Sequence, residues 1–276
     1  MNATNLNLSA IQISDVDSKL SRVSFECHEI LSGSAAIIDT STAPARSLPI
    51  VSSQQMPTRD GLQSAAGQAR LLHDLANIEL QAMELGLRTL YDFADVPADF
   101  KAGIVEIILE EARHLKMCLA GIRELGFDWG AWPAHNTLWS ATSKDDSLLD
   151  RILIVNCYLE ASGLDSGEMI LKKLSGVSNR LPREIVSVIA REEIGHVRFG
   201  LEWYREFCRK ENRDSSNDFS VRLENLFERV PARAAQVNES VRREAGFLPQ
   251  EIAAVRDFNA RKQSSAKSKL QRENID

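Results

Sequence analysis

Two four-residue motifs, Glu111-Ala-Arg-His114 and Glu193-Ile-Gly-His196, each follow a lone glutamate at nearly the same distance. Glu79 stands 32 residues before Glu111, and Glu160 stands 33 before Glu193. Positions i and i+3 share one face of an α-helix, so each Glu-x-x-His presents a carboxylate and an imidazole to one point. At ~1.5 Å of rise per residue, the separation covers most of one helix, a turn and the matching depth of an antiparallel partner. Doubled, the pattern supplies four carboxylates and two imidazoles, the ligand set of a carboxylate-bridged two-metal site inside a four-helix bundle. The expected metal ligands, catalytic through the metal pair, are Glu79, Glu111, His114, Glu160, Glu193 and His196, with Glu111 and Glu193 as bridges. Carboxylates are hard anionic donors that can span two cations, and imidazole adds a neutral donor of intermediate softness. That mixture favours two iron ions, with iron–manganese or manganese pairs accommodated, over magnesium, calcium or zinc.

A single Glu-x-x-His carries little weight, because solvated helix faces produce it often. Both copies also adjoin another acid, Glu110 or Glu192. The conjunction is what argues for a site: two copies, two matched upstream glutamates, and apolar stripes at helical spacing around all of them.

The elements that must position these residues are legible as stripes. Helix one, expected over about 64–92, carries Leu72, Leu75, Glu79, Ala82 and Gly86. Helix two runs from Pro97 to Gly126 with Ile104, Ile107, Ile108, Glu111, His114, Cys118 and Ile122 inward. Helix three, about 146–174, carries Leu149, Leu153, Asn156, Glu160, Leu164 and Leu171, and helix four, from Pro182, carries Val186, Ile189, Glu193, His196, Val197 and Gly200. Acids within apolar stripes cost several kcal/mol each unless something cationic compensates them. The connection over about 127–146 is long for a bundle, and extended at ~3.3 Å per residue it could travel the full bundle length. Helices two and three would then run parallel, the ferritin-like arrangement. This crossover holds Trp129, Trp132 and Trp139, three of the four tryptophans, as packing anchors or as a lid over a substrate channel.

The expected fold class is therefore all-α: a ferritin-like four-helix bundle over 63–212 with a long crossover between helices two and three. Residues 1–62, with their Ser, Thr and Pro clusters and a strand-like stretch near Val23–Ile30, are expected to form an extended N-terminal segment with room for one short strand or helix. Additional C-terminal helices are expected over 213–260, near 217–245 and 248–260, then a basic disordered tail over 261–276 carrying Arg261, Lys262, Lys267, Lys269 and Arg272.

Composition narrows the function classes. A net charge of −6 gives no general attraction for nucleic acid. Cys27, Cys118, Cys157 and Cys208 form no C-x-x-C pair, so free buried thiols are expected rather than disulfides or a zinc site. The polar start Met1-Asn-Ala-Thr-Asn and the lack of a long apolar run predict neither a leader nor a membrane span, and hence a cytoplasmic location. His73 and His135 read as structural histidines, and Glu192, Asp165 and Asp74 as acids that could orient the ligating imidazoles.

The segments Leu71-Leu-His-Asp-Leu-Ala-Asn-Ile-Glu79, Glu110-Glu-Ala-Arg-His114, Trp132-Pro-Ala-His135, Leu159-Glu-Ala-Ser-Gly-Leu-Asp165 and Glu192-Glu-Ile-Gly-His-Val197 resemble the bacterial ferritin-like family filed as domain of unknown function 455. The likeness runs from about Pro44 to beyond Trp203 and includes Met56-Pro-Thr-Arg59. More widely, the chain resembles the di-iron carboxylate superfamily of bacterioferritins, ribonucleotide reductase small subunits, bacterial monooxygenases and tRNA-modifying hydroxylases. The resemblance implies all six ligands, but Asn77 stands where the family usually has a second histidine, and Ser162-Gly163 where it has Arg-Gly.

The expected activity is an O2-activating non-haem di-iron oxidase or oxygenase, with O2 as co-substrate and a small organic molecule hydroxylated, desaturated or N-oxygenated. Ferroxidase or iron-handling activity is the main alternative, and a tRNA-modifying hydroxylase a further one against which the acidic balance argues. No reductase or flavin motif accompanies the site, so a separate reductase is an expected partner, and the long apolar helix faces admit a homodimer.

Overall fold

Helix starts follow from local capping chemistry. The Asp15 carboxylate accepts from the Ser18 backbone N–H at 2.8 Å, and the Ser64 hydroxyl accepts from Gly67 N–H at 3.0 Å, so each occupies a donor that a first turn leaves without a partner. A computed structural model of the chain describes residues 8–233 and 236–273, with side chains as far as Ala266. In it the chain is all-helical: α1 (Val16–Ser32), α2 (Ala65–Asp92), α3 (Ala98–Glu124), α4 (Leu148–Ile152), α5 (Ala161–Leu174), α6 (Leu181–Lys210), α7 (Ser215–Asn225), α8 (Glu239–Glu244) and α9 (Pro249–Glu273). Among the described residues there is no strand, only an isolated parallel bridge between Ile50 and Ala134. None of these helices is long and apolar enough to cross a membrane.

The chain divides into two compact units, Met1–Lys144 with Lys173–Ile185, and Asp145–Lys172 with Val186–Asp276. In the first, α2 and α3 form an antiparallel hairpin. A methyl group on Gly86 would lie 2.5 Å from the Ile108 side chain, and one on Gly121 2.7 Å from Leu72, so the backbones approach closely at both ends. These contacts fix a register in which Glu79 and His114 stand at the same level. The second unit repeats the design: Gly200 sits against Asn156 and Gly167 against Ala190, so α6 runs antiparallel to the helix ending at Leu174 and Glu160 stands level with His196. The contact is tightest at Gly200, where a methyl group would fall 2.2 Å from the Asn156 Cβ. Gly200→Ala should therefore lose about 1–2 kcal/mol of stability in urea unfolding, overpacking outweighing the better helix propensity of alanine.

One face of α2 carries Glu79, and the opposite face also is buried. It carries a polar ladder at three- and four-residue spacing: Arg70, His73, Asn77, Gln81, Glu84 and Arg88, none more than 3% exposed. This ladder satisfies the backbone of the crossover. Gly130 N–H donates to His73 Nε2, Asn77 and Gln81 donate to the His135 carbonyl, Gln81 Oε1 accepts from Leu138 and Trp139, and Arg88 donates to Thr142. From His73 to Arg88 the crossover thus follows α2 for about 22 Å at 1.5 Å per residue. Buried loop backbone needs such partners.

Three expectations require correction. Of the short strand or helix allowed in the N-terminal segment, the structure has a helix over residues 16–32, and it takes in the stretch read as strand-like. Val16, Leu20, Val23, Cys27 and Ile30 are all buried, and their alternating four- and three-residue spacing is a helical stripe. The predicted helix 217–245 is broken after Asn225 and resumes only at Glu239, with Pro231 in the interval. The tail assigned to disorder continues α9 to Glu273. Arg261 pairs with Glu224, Gln263 donates to the Arg233 carbonyl at 2.9 Å, and Ala, Lys, Gln and Arg are good helix formers. Met1–Asn5, the side chains of Lys267, Lys269 and Arg272, and residues 274–276 lie outside the described residues.

Candidate metal centre

In the first unit, α2 brings Glu79 and α3 brings Glu111 and His114 into one cluster whose ligand atoms lie within 4.8 Å of one another. His114 Nδ1 is 3.4 Å from Glu79 Oε2 and 3.5 Å from Glu111 Oε2. Glu111 and His114 are fully buried and Glu79 is 2% exposed. Burial works against a proton on His114, but the hydrogen bonds and charges of Glu111 and Glu79 override it and push its pKa up to about 11. Two carboxylates around one imidazolium leave an excess of negative charge in a dry interior, which suits a divalent cation in the proton's place.

In the second unit, α6 carries Glu193 and His196 with His196 Nδ1 3.6 Å from Glu193 Oε2, both buried. Glu160 is only partly buried and accepts a hydrogen bond from Asn156 Nδ2 at 2.8 Å. The backbone here departs from the expected α-helix: Leu153–Glu160 is π-helical, joining α4 to α5 in one continuous run. Such segments are uncommon and are found disproportionately at functional sites. Asn156 lay on the expected stripe without a role, and its four-residue offset from Glu160 is the signal that pairs them.

The other candidates separate clearly. Asp74 is held by Arg59 and Arg70, and Asp165 by Arg242, so in these units they serve arginines rather than imidazoles. Glu192 lies 3.8 Å from Arg191. All four cysteines are free and buried. Burial first, and then the charges of Glu79 and Glu111, hold the Cys118 thiol well above its ordinary pKa, and burial does the same at Cys157, which fits neutral packing groups. Trp139 is buried and stacked under Arg88 with 4.4 Å from guanidinium carbon to ring centroid, and Trp129 and Trp132 pack on His73 at 4.6 and 5.5 Å, so the crossover tryptophans are anchors.

His73 is a structural histidine. It is fully buried, and desolvation lowers its pKa from 6.5 to about 4 despite the neighbouring Asp74. The unfolded chain therefore binds a proton below about pH 6.5 that the folded chain refuses until about pH 4. Stability should fall across that window by on the order of 3 kcal/mol. Urea unfolding at pH 7, 5.5 and 4.5 measures the slope, and His73→Gln should flatten it.

A family model described as "Protein of unknown function (DUF455)" matches residues 12–253. A protein of Haemophilus influenzae (strain Rd), described as uncharacterized, is 28% identical over 213 residues, covering 74% of this chain and 72% of that protein. No solved structure gives a significant match.

Proposed function

The chain belongs to the family of unknown function DUF455, and from that premise we propose that it is a two-metal carboxylate protein of the ferritin-like type, acting as an O2-dependent oxidoreductase on a small organic substrate. The observation that carries this reading is the repeated hairpin: Glu79 level with His114, Glu160 level with His196, and each histidine three residues after a second buried glutamate. Glu79, Glu111 and His114 of the first hairpin and Glu160, Glu193 and His196 of the second are the residues that would hold two ions.

When bound, an iron pair supplies electrons to dioxygen and a route to substrate oxidation. The protein's own residues supply the rest. Glu111 and His114 are presented by a single helical turn, so their mutual geometry is set by α3 itself. The His114 imidazolium sits between Glu79 and Glu111, and a bound cation would take the place of its proton. Buried Ile107, Ile108, Leu153 and Ile189 exclude water from the ligating faces. Reducing equivalents would come from a separate reductase.

The test is anaerobic reconstitution with ferrous iron, metal analysis, and an oxygen electrode. About two irons per chain, followed by oxygen uptake that the protein sustains with a reductant and an added small organic substrate, is the expected result. Absence of iron uptake overturns the metal reading. Uptake followed only by deposition of ferric mineral in a large assembly replaces the oxidoreductase with an iron-handling protein.

A further inference from the structure

Tyr158, Arg242 and Asn259 have no place in the ligand set, yet they converge on the turn that ends in Glu160. Tyr158 lies inside the π-helical segment with its ring 1% exposed. Its hydroxyl donates to the Pro231 carbonyl at 2.8 Å and lies 3.1 Å from Asn259 Oδ1 on α9. Phe258 meets the same ring edge-on, with centroids 5.6 Å apart. Just beyond Glu160, the fully buried Arg242 of α8 donates from Nη2 to the Ala161 carbonyl at 3.2 Å and to Asp165 Oδ2 at 2.7 Å. Its Nε donates to Asp165 Oδ1 at 3.0 Å, and the Asn238 backbone N–H donates to that same oxygen at 2.9 Å.

These contacts bracket Glu160. The chain beyond α7 grips one residue inside the π-helical segment, two positions before Glu160, and the carbonyl immediately after it. A π-helical run of eight residues is intrinsically disfavoured against the α-helix, so tertiary contacts must select it. Changing the hydrogen-bonding register over this segment would rotate each side chain about the helix axis. Asn156, Tyr158 and Glu160 would then no longer point where they do. A charge-assisted, nearly bidentate Arg242–Asp165 pair is a rigid way to hold that choice.

We infer that α8 and α9 form a register lock for the metal-ligating segment, with Tyr158, Arg242 and Asn259 as positioning residues for Glu160. The lock is a property of the second unit by itself; its consequence for metal binding rests on the proposed two-metal function. The C-terminal helices are then the part of the molecule through which occupancy of the Glu160 position could be controlled.

The experiment compares the metal-free full chain with Tyr158→Phe, Arg242→Met and Arg242→Lys by hydrogen exchange resolved to peptides, followed by Co2+ titration read by visible absorption. Tyr158→Phe removes only a hydroxyl, so folding is retained. Exchange over 153–161 should rise about tenfold in Tyr158→Phe and more in Arg242→Met, with α2 and α3 unchanged. Co2+ affinity should fall about tenfold and the ligand-field bands should shift, with Arg242→Lys partly restoring both. Unchanged exchange in both Tyr158→Phe and Arg242→Met overturns the lock. Faster exchange with an unaltered Co2+ spectrum and affinity overturns the positioning of Glu160. A wild-type chain that takes up no Co2+ removes the proposed metal function, while the exchange data still decide the lock.

Discussion

Replacing Glu111 by alanine is expected to weaken binding of Fe2+, Mn2+ or Co2+ by at least about 100-fold while leaving the metal-free protein as stable as the wild type, or more so. Loss of a group that merely orients a ligand costs about 10–100-fold in metal affinity, so loss of a residue proposed to ligate directly should cost no less. The stability arm follows from the surroundings of this carboxylate. Glu111 is fully buried beside Glu79 and His114, and ionised groups in a dry interior carry a desolvation penalty that a single shared imidazolium offsets only in part. Alanine removes one of the two charges and leaves His114 paired with Glu79. Competition with a chromophoric chelator gives the affinity, and thermal unfolding in the presence of EDTA gives the stability. A variant that binds metal as tightly as the wild type would remove Glu111 from the ligand set. A variant that is both metal-free and severely destabilised would mean that the carboxylate is there for the fold.

The second large effect is expected at the other face of α2. Glu84 is fully buried and receives Lys19 at 2.7 Å, itself fully buried, together with a two-pronged contact from Arg46. Lys19 also donates to the carbonyls of Ala10 and Ile11, so one carboxylate ties α1 and the segment before it to the hairpin. Burial lowers the Lys19 pKa, and the charge of Glu84 works in the opposite direction. Glu84→Ala would leave two cationic side chains buried against each other. A loss of about 3–5 kcal/mol is expected, the range for breaking a buried pair from one side. Lys19→Met, which leaves Glu84 with Arg46, should cost less than half as much. Urea unfolding at pH 7 measures both. A loss below about 1 kcal/mol for Glu84→Ala would show that water reaches the site when the partner is removed.

These two faces explain how far the sequence could be read. The face of α2 that carries Glu79 was legible because this glutamate interrupts an apolar stripe and, with its Glu-x-x-His partner, forms a pattern that recurs at a distance a helical hairpin dictates. The helices at Ala65–Asp92 and Ala98–Glu124 begin and end within a few residues of their caps and breakers, Ser64, Pro97 and Gly126, since those signals act locally. The polar ladder from Arg70 to Arg88 has the same three- and four-residue spacing but reads as an exposed face. Only the crossover and the N-terminal segment packed on it make it an interior. Helix α1 was present in the spacing of Val16, Leu20, Val23, Cys27 and Ile30, and was obscured by the β-branched and polar residues among them.

Composition, period and capping chemistry thus determined on their own that this is a chain of helices carrying two Glu-x-x-His motifs, each with an upstream glutamate, because helical period and capping are fixed by neighbours three or four residues away. Tertiary structure alone decided that Leu153–Glu160 is π-helical, that Arg242 and Tyr158 hold it so, and that Asp74 and Asp165 belong to arginines. Each of those outcomes turns on which distant group fills a buried hydrogen-bonding position, and a periodicity in the chain carries no information about its partner.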